Sequence, residues 1–389
     1  MQVHVAVHVR EISTKTRHGE SVTLSNTGNT VYSRFGLTLM VNHACNLRCA
    51  YCYTGAKFSR PMPDAVARRA IDRAVASVAP GGALELGFFG GEPLLEAPRM
   101  SEWLGHARDR ADEAGIALSA GVTTNGALDT PSAWAFLAEP DLHVAVSHDG
   151  LPSIHDRHRR FADGRPSAAL VEGTIRRLVA LGRDFDVIVV VRPDTVASLS
   201  DGIAHLRGLG VRHIVPSLDL WTRWTAEDAA NLENAVVRCA RLWREGLPDF
   251  GISWFDEKAA RICGAPLETA RCGFGDGEIA VAPSGRLYPC ERLIGDDADA
   301  NPMRLPGHAL EGADFTPAHA FPGRSADPCS ACAIASMCGT TCRCSNYVRT
   351  GDVRTPDRLL CLLDQACARE TARSVRTEAI ATAHFAISY

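Results

Sequence analysis

Six aliphatic runs, most followed by an amphipathic stretch, fill the chain from residue 35 to residue 246 and limit what it can fold into. FGLTLMV (35–41), ALELGFF (83–89), IALSAGVTT (116–124), LHVAVS (142–147), DVIVVV (186–191) and HIVPSLDL (213–220) are rich in β-branched or aliphatic residues, as buried strands are. Residues 63–77, 98–113, 168–181, 196–209 and 226–245 carry apolar side chains at helical spacing. Strand-then-helix units in series predict an α/β fold with a parallel sheet and right-handed crossovers, here a partial (β/α)6 barrel. A chain of 389 residues, 46% of them apolar, can bury the core such a sheet needs.

In barrels of this kind the chemistry sits where strands end and loops begin. Cys45, Cys49 and Cys52, spaced C-x3-C-x2-C, follow the first run, and Gly90-Gly91-Glu92-Pro93 follow the second. Thr123-Thr124-Asn125-Gly126 close the third run and Ser147-His148-Asp149-Gly150 the fourth. Any one of these is ordinarily a turn. Their recurrence at successive strand ends predicts one shared cavity.

The fourteen cysteines call for a chemical reading. MQVHVAVHVREI at the start alternates and lacks a basic n-region followed by an apolar h-region, and no apolar run is long enough to cross a bilayer. This predicts a cytoplasmic protein without membrane partners, in which clustered thiols bind metal more often than they form disulfides. The net charge of -4 is spread without a basic stripe, so no nucleic-acid partner is expected. Three thiolates can hold a four-iron, four-sulfur cluster with one iron left open. A zinc site would draw a fourth ligand, for which His43 is the near candidate.

CNLRCAYC, residues 45–52, resembles the signature of radical S-adenosylmethionine (SAM) enzymes. The resemblance implies that Cys45, Cys49 and Cys52 hold a 4Fe-4S cluster whose open iron chelates the methionine end of SAM. Reduction then yields a 5'-deoxyadenosyl radical that abstracts hydrogen from substrate. It also implies a place for Tyr51 near the adenine and for Gly90, Gly91 and Glu92 at the cofactor's ammonium, where a carboxylate makes charge-assisted hydrogen bonds. Ser147 and Asp149 match the S-x-D-G segment found near sulfatase-maturing enzymes, and Arg159 is a candidate partner for the methionine carboxylate.

Farther along, Cys272, Gly285, Cys290, Cys329, Cys332, Cys338, Cys342 and Cys361 resemble the SPASM extension, which holds two auxiliary 4Fe-4S clusters. Carried over, Cys272, Cys290 and Cys342 fall to the first auxiliary cluster, and Cys329, Cys332, Cys338 and Cys361 to the second. The first lacks a ligand; Cys263 is the upstream candidate, and the alternative is an open iron that substrate could ligate. Cys344 and Cys367 fall outside the motif, and Cys239 reads as a buried structural thiol. The expected organisation is an N-terminal strand hairpin (1–34), the barrel (35–246), a bridging segment (247–271), and the cysteine-rich extension with a C-terminal helix (272–389).

Together these imply a radical SAM enzyme that modifies a ribosomally made peptide or protein by crosslink, thioether or oxidation. Its electrons would come from a reductant such as flavodoxin or ferredoxin, and the substrate would be recognised either through a separate leader-peptide-binding protein or by the core peptide directly. A metabolite-modifying enzyme is the alternative, and an iron-sulfur electron carrier is the non-enzymatic one. Glu291, directly after Cys290, is the candidate proton acceptor; a surface ion pair with Arg292 is its ordinary alternative. The polar stretch 295–328 is long enough to border a substrate groove.

Overall fold

The structure, a computed structural model, describes residues 32–263, 272–316, 329, 332–338 and 342–385. The expected hairpin therefore lies outside the described residues, apart from its last three, which open the first strand.

The six predicted strands form at β1 (Tyr32–Met40), β2 (Val78–Phe89), β3 (Ala117–Thr124), β4 (Leu142–Ser147), β5 (Phe185–Val191) and β6 (His213–Leu218). A short β7 (Gly251–Ile252) continues the series, and each of these strands pairs in parallel with the next. Residues of β5 alternate between buried and half-buried, as a pleated strand with one face on a core requires.

Helices α1 (Asp64–Ala76) and α2 (Ala97–Ala114) follow β1 and β2. Helix α1 buries Val66, Ala67, Ala70, Ile71 and Ala74, the helical spacing seen in the sequence. Two short helices escaped the periodicity: α3 (Pro131–Leu137) and α4 (Pro152–His158), each seven residues long. A stretch of that length shows too few turns for a 3.6-residue period to stand out. Helices α5 (Ala168–Ala180), α6 (Leu199–Gly208) and α7 (Ala226–Gly246) complete the set. In α7 Thr225 and Asp228 form a capping box, and Cys239 is buried among its core residues.

The bridging segment contains α8 (Ser253–Ile262), and the last helix of the described residues is α10 (Arg358–Phe385). They are joined by a buried ion pair, Lys258 to Asp364 at 2.5 Å. Between them, β8 (Glu278–Val281) pairs in parallel with β1, and β9 (Arg286–Tyr288) and β10 (Leu305–His308) pair antiparallel beyond it. The expected boundary at residue 272 thus does not interrupt the sheet, whose ten strands run β10-β9-β8-β1-β2-β3-β4-β5-β6-β7.

The described part of the polar stretch meets the loop after β1 through Asp296 and Asp297. It forms β10 and folds onto α1, where Arg73 donates to the His308 carbonyl at 2.7 Å and lies over the Phe315 ring. None of the helices among the described residues is long and apolar enough to cross a membrane.

Candidate active site

The loop after β1 presents the first three cysteines, and its backbone is clamped from both sides. Gly91 and Glu92 N–H groups donate to the carbonyls of Asn42 and Ala44, each at 2.8 Å. Arg48 and Ala50 N–H groups donate to the carbonyls of Arg160, just past α4, and of His158, its last residue. The glycine pair has a steric reason. A Cβ on Gly90 would stand 2.7 Å from the Asn42 carbonyl oxygen, and one on Gly91 only 2.2 Å from that of Ala44. Only glycine lets the two backbones approach this closely.

Cys45, Cys49 and Cys52 line one cavity of about 230 Å³, slightly below the roughly 300–1,000 Å³ typical of small-molecule sites. Gly90, Gly91, Ser147, Arg159 and Tyr51 share its wall, so the sequence motifs at four strand ends do meet. Burial pushes the Cys45 thiol up to about 12, with the Glu92 charge adding to the shift. Cys52 lies below the ordinary thiol range: burial opposes this, but the Lys57 ammonium and the Thr54 hydroxyl prevail. Buried thiols that resist ionisation alone are ionised by a coordinating cation. Among the described residues, no three Cys, His, Asp or Glu side chains close on one point as the ligands of a single ion do. Three half-buried thiols around an open space fit a multi-iron body better. His43, the near zinc ligand, is not on the cavity wall; it stacks on Phe58 at 4.5 Å with both ring nitrogens buried and unpartnered.

Glu92 differs from the role expected for it. Its carboxylate does not line the cavity. It accepts from the Leu94 N–H at 3.0 Å, the Thr124 hydroxyl at 2.7 Å and the Asn125 N–H at 2.8 Å, and is fully buried. Most of its acceptor capacity is consumed by the protein, which makes it a strut between the ends of β2 and β3. Asn125, held by that strut, donates to Cys45 Sγ at 3.6 Å and to Asn46 at 2.8 Å.

On the opposite wall Arg159 is fixed by charge. Its Nε donates to Asp149 at 3.1 Å, with both side chains buried. Burial alone would disfavour the guanidinium charge, but Asp149 and Tyr51 raise its pKa well above the usual value. The Tyr51 hydroxyl donates to the second Asp149 oxygen, and the Arg159 guanidinium lies 5.2 Å from the Tyr51 ring centroid. Asp149 is thus a brace rather than a wall residue.

The extension closes the cavity. Glu291 and Arg292, on a short 3-10 turn (Glu291–Leu293) after Cys290, line it together with the first three cysteines. No ion pair joins Glu291 to Arg292 among the described residues; Glu291 Oε2 accepts instead from the Cys290 thiol at 3.4 Å. Sequence reasoning missed Trp221, which lines the cavity, stacks on Tyr53 at 4.8 Å and is 46% exposed. It also missed Asp219, which lines the cavity and is ion-paired to Arg192. Their position just past β6 was the available signal.

The extension's thiols form two groups. Cys361 is raised by burial and by the nearby Cys338, Cys329 and Cys332. Cys272 lies within electrostatic reach of Cys342 and Cys344, and Cys290 is hydrogen-bonded to Cys344. Cys263 is exposed at the end of α8, and Cys367 is buried in the core.

Residues 39–204 match the model of the radical SAM superfamily. A serine-type anaerobic sulfatase-maturating enzyme of Klebsiella aerogenes is 27% identical over 270 residues, 65% of this chain and 65% of the relative. The PqqA peptide cyclase of Rhodopseudomonas palustris is 25% identical over 352 residues, 84% of this chain and 88% of that one. Among solved structures, native anSMEcpe with bound AdoMet superposes with a TM-score of 0.72 at 18% identity, covering 88% of this chain and 98% of that chain. Streptococcus suis SuiB bound to S-adenosylmethionine gives 0.57 at 13% identity, covering 84% and 77%. At such identities the structural matches establish a shared fold. The chain spans about 65% of the length of the sulfatase-maturating relative it matches.

Proposed function

Because the chain carries a radical SAM domain close to those of sulfatase-maturating enzymes and peptide cyclases, we propose that it is a SAM-dependent radical enzyme acting on a peptide or protein residue. In this reading Cys45, Cys49 and Cys52 hold a 4Fe-4S cluster with SAM on its open iron. When bound, the pair supplies the 5'-deoxyadenosyl radical that takes hydrogen from the substrate.

The chain's own residues do the rest. Arg159, braced by Asp149, presents a fixed cation to the methionine carboxylate, and Ser147 beside it offers a hydroxyl. Tyr51 flanks the adenine. The glycine clamp holds the cysteine loop in register, and Glu92 acts through Asn125 as a positioning residue. Glu291 faces the same space from the extension and would accept the proton of the substrate group that is oxidised or joined, while a cluster held by the extension would take the remaining electron. Tyr53 and Trp221 offer stacked rings to an entering side chain.

Residues 35–246 are read as the catalytic barrel and 272–389 as the extension. There Cys329, Cys332, Cys338 and Cys361 hold one auxiliary cluster, and Cys272, Cys290 and Cys342 belong to another. A cytoplasmic setting, a flavodoxin or ferredoxin as electron donor and a separate leader-peptide-binding protein belong to the same proposal. The observation that carries it is the meeting of the cysteine trio with Ser147, Arg159 and Glu291 on one cavity wall.

The test replaces Cys45, Cys49 and Cys52 together by Ala in the full chain, reconstituted without air. Formation of 5'-deoxyadenosine should cease while iron remains in the extension; continued formation would overturn the proposal. The modest cavity favours a second reading, in which a small metabolite is the substrate. Tight coupling of 5'-deoxyadenosine formation to a free amino acid or sugar, with no peptide supporting it, would select that reading.

A further inference from the structure

We propose that Cys344, and not Cys263, provides the fourth thiolate to the cluster held by Cys272, Cys290 and Cys342. The inference rests on the reading that the extension holds auxiliary clusters, and it changes which residues complete one of them.

Four thiols are neighbours here, without closing on a single point as the ligands of one ion would. Cys344 Sγ lies 3.2 Å from Cys342 Sγ, and the Cys344 and Cys290 thiols are hydrogen-bonded. Cys272 lies within electrostatic reach of both Cys342 and Cys344. Cys290 and Cys344 are core members of a small apolar cluster with Phe274, Leu293 and Met303, and Cys272 and Cys342 pack against it. Cys344 is only 2% exposed, so its thiol faces its neighbours and not solvent.

Local structure explains this proximity. Cys342 caps α9 (Arg343–Thr350), which places Cys344 in the first turn, where backbone N–H groups are unsatisfied and the helix dipole favours a thiolate. The Ser345 hydroxyl donates to Cys342 Sγ at 3.2 Å. Arg292, two residues past Cys290 on the 3-10 turn, places a cation close to these thiols. Cys263 has the opposite setting. It is exposed and terminates α8, where the dipole disfavours a thiolate.

The test uses the full chain with Cys45, Cys49 and Cys52 replaced by Ala, so that all bound iron reports on the extension. Reconstituted without air, this parent should hold about eight irons per chain, in two clusters. Cys344→Ala should lose about half of that iron or convert one cluster to a three-iron form visible by EPR, whereas Cys263→Ala should change neither. Cys344→Ser offers a weaker oxygen ligand. It should keep the iron while shifting the EPR and Mössbauer parameters of one cluster, a signature that does not depend on whether the alanine variant folds.

Retained iron in Cys344→Ala together with an unshifted Cys344→Ser spectrum would overturn the assignment, as would loss of a cluster in Cys263→Ala. A parent that binds one cluster or none removes the premise, and the assignment falls with it. That failure is distinguishable because it appears before either cysteine is changed.

Discussion

Replacing Asp149 by Asn tests the electrostatic frame of the cavity with almost no change of shape. Asp149 Oδ1 accepts from Arg159 Nε at 3.1 Å and from the Val190 N–H at 3.3 Å, and Oδ2 accepts from the Tyr51 hydroxyl. Asparagine keeps an oxygen for the first two, and its amide can donate to the tyrosine oxygen, so the hydrogen-bond count survives while the charge is lost. The two side chains are 1% and 7% exposed. Arg159 would be left buried without a counter-charge, and removing one partner of a buried pair costs about 3–5 kcal/mol. The retained hydrogen bonds place the expected loss near the lower end, about 3 kcal/mol. With a urea m-value of about 3 kcal/mol/M, the unfolding midpoint of the apo chain should fall by about 1 M.

Asp163→Asn is the control, because Asp163 pairs with Arg165 at 2.7 Å but the side chains are 54% and 70% exposed. That solvent-screened pair should contribute little to stability. Urea titrations of both variants, followed by tryptophan fluorescence, make the comparison. SAM affinity of the reconstituted Asp149→Asn enzyme should fall as well, because Arg159 loses its brace. Equal midpoint shifts in the two variants, or a loss below about 1 kcal/mol in Asp149→Asn, would refute the claim that burial governs this pair.

Two further outcomes are expected. Glu291→Gln should abolish modified product while 5'-deoxyadenosine is still formed, since the cysteine trio and the Arg159 wall are untouched; unchanged product would remove Glu291 from the chemistry. His213, at the start of β6 and far along the strand from the cavity, should make stability fall as pH rises. Burial opposes its charge, yet the hydrogen bond to Asp186 and the nearby Asp256 carboxylate raise its pKa to about 9, and Asp186 is shared with His143. The raised pKa stabilises the fold fully below about 6.5, and this contribution disappears as pH climbs through about 9. Partial exposure reduces it to about 1–2 kcal/mol. His213→Gln should flatten this slope in urea titrations from pH 6 to pH 9.5, and a slope like that of the parent would count against the pairing.

The barrel was legible because its signals are local. Each of the first six strands is rich in β-branched or aliphatic residues over a short stretch, and α1, α2, α5, α6 and α7 are long enough to show their period. Strand β8 was not legible: EIAV is four residues long, and its partner β1 lies more than two hundred positions earlier, so nothing in the local pattern records the pairing. Helix α3 did carry a signal that periodicity overlooked, Thr130 as cap with Pro131 at the first position. At the site, residue types were legible and directions were not. GGE marks a close approach, but whether Glu92 points into the cavity or behind it depends on Thr124 and Asn125, which the fold brings together from another strand. Cys344 was set aside because counting along a motif cannot see that a helix begins at Arg343 and turns the thiol inward.

The β1–β8 pairing also fixes where the extension's chemistry stands relative to the cysteine loop. Gly36 to Leu39 pair with Glu278 to Val281, so the loop after β1 and the turn after β9 emerge on one common scaffold. Two side chains tighten that relation. Asp296 accepts from the Ala56 N–H at 2.7 Å, just past the third cysteine, and the buried Asp297 takes the Arg60 guanidinium at 3.4 Å. Asp297 also accepts from the Ser284 hydroxyl at 2.8 Å and the Tyr288 hydroxyl at 3.1 Å, which ties it to β9 and the turn before it. Glu291 is held between these anchors, one residue from Cys290 and on the same wall as Cys45. Under the proposed function, a proton acceptor placed this way would keep its position relative to both thiol groups. Hydrogen abstraction at the trio's side of the cavity and proton removal at the extension's side would then act on one substrate position.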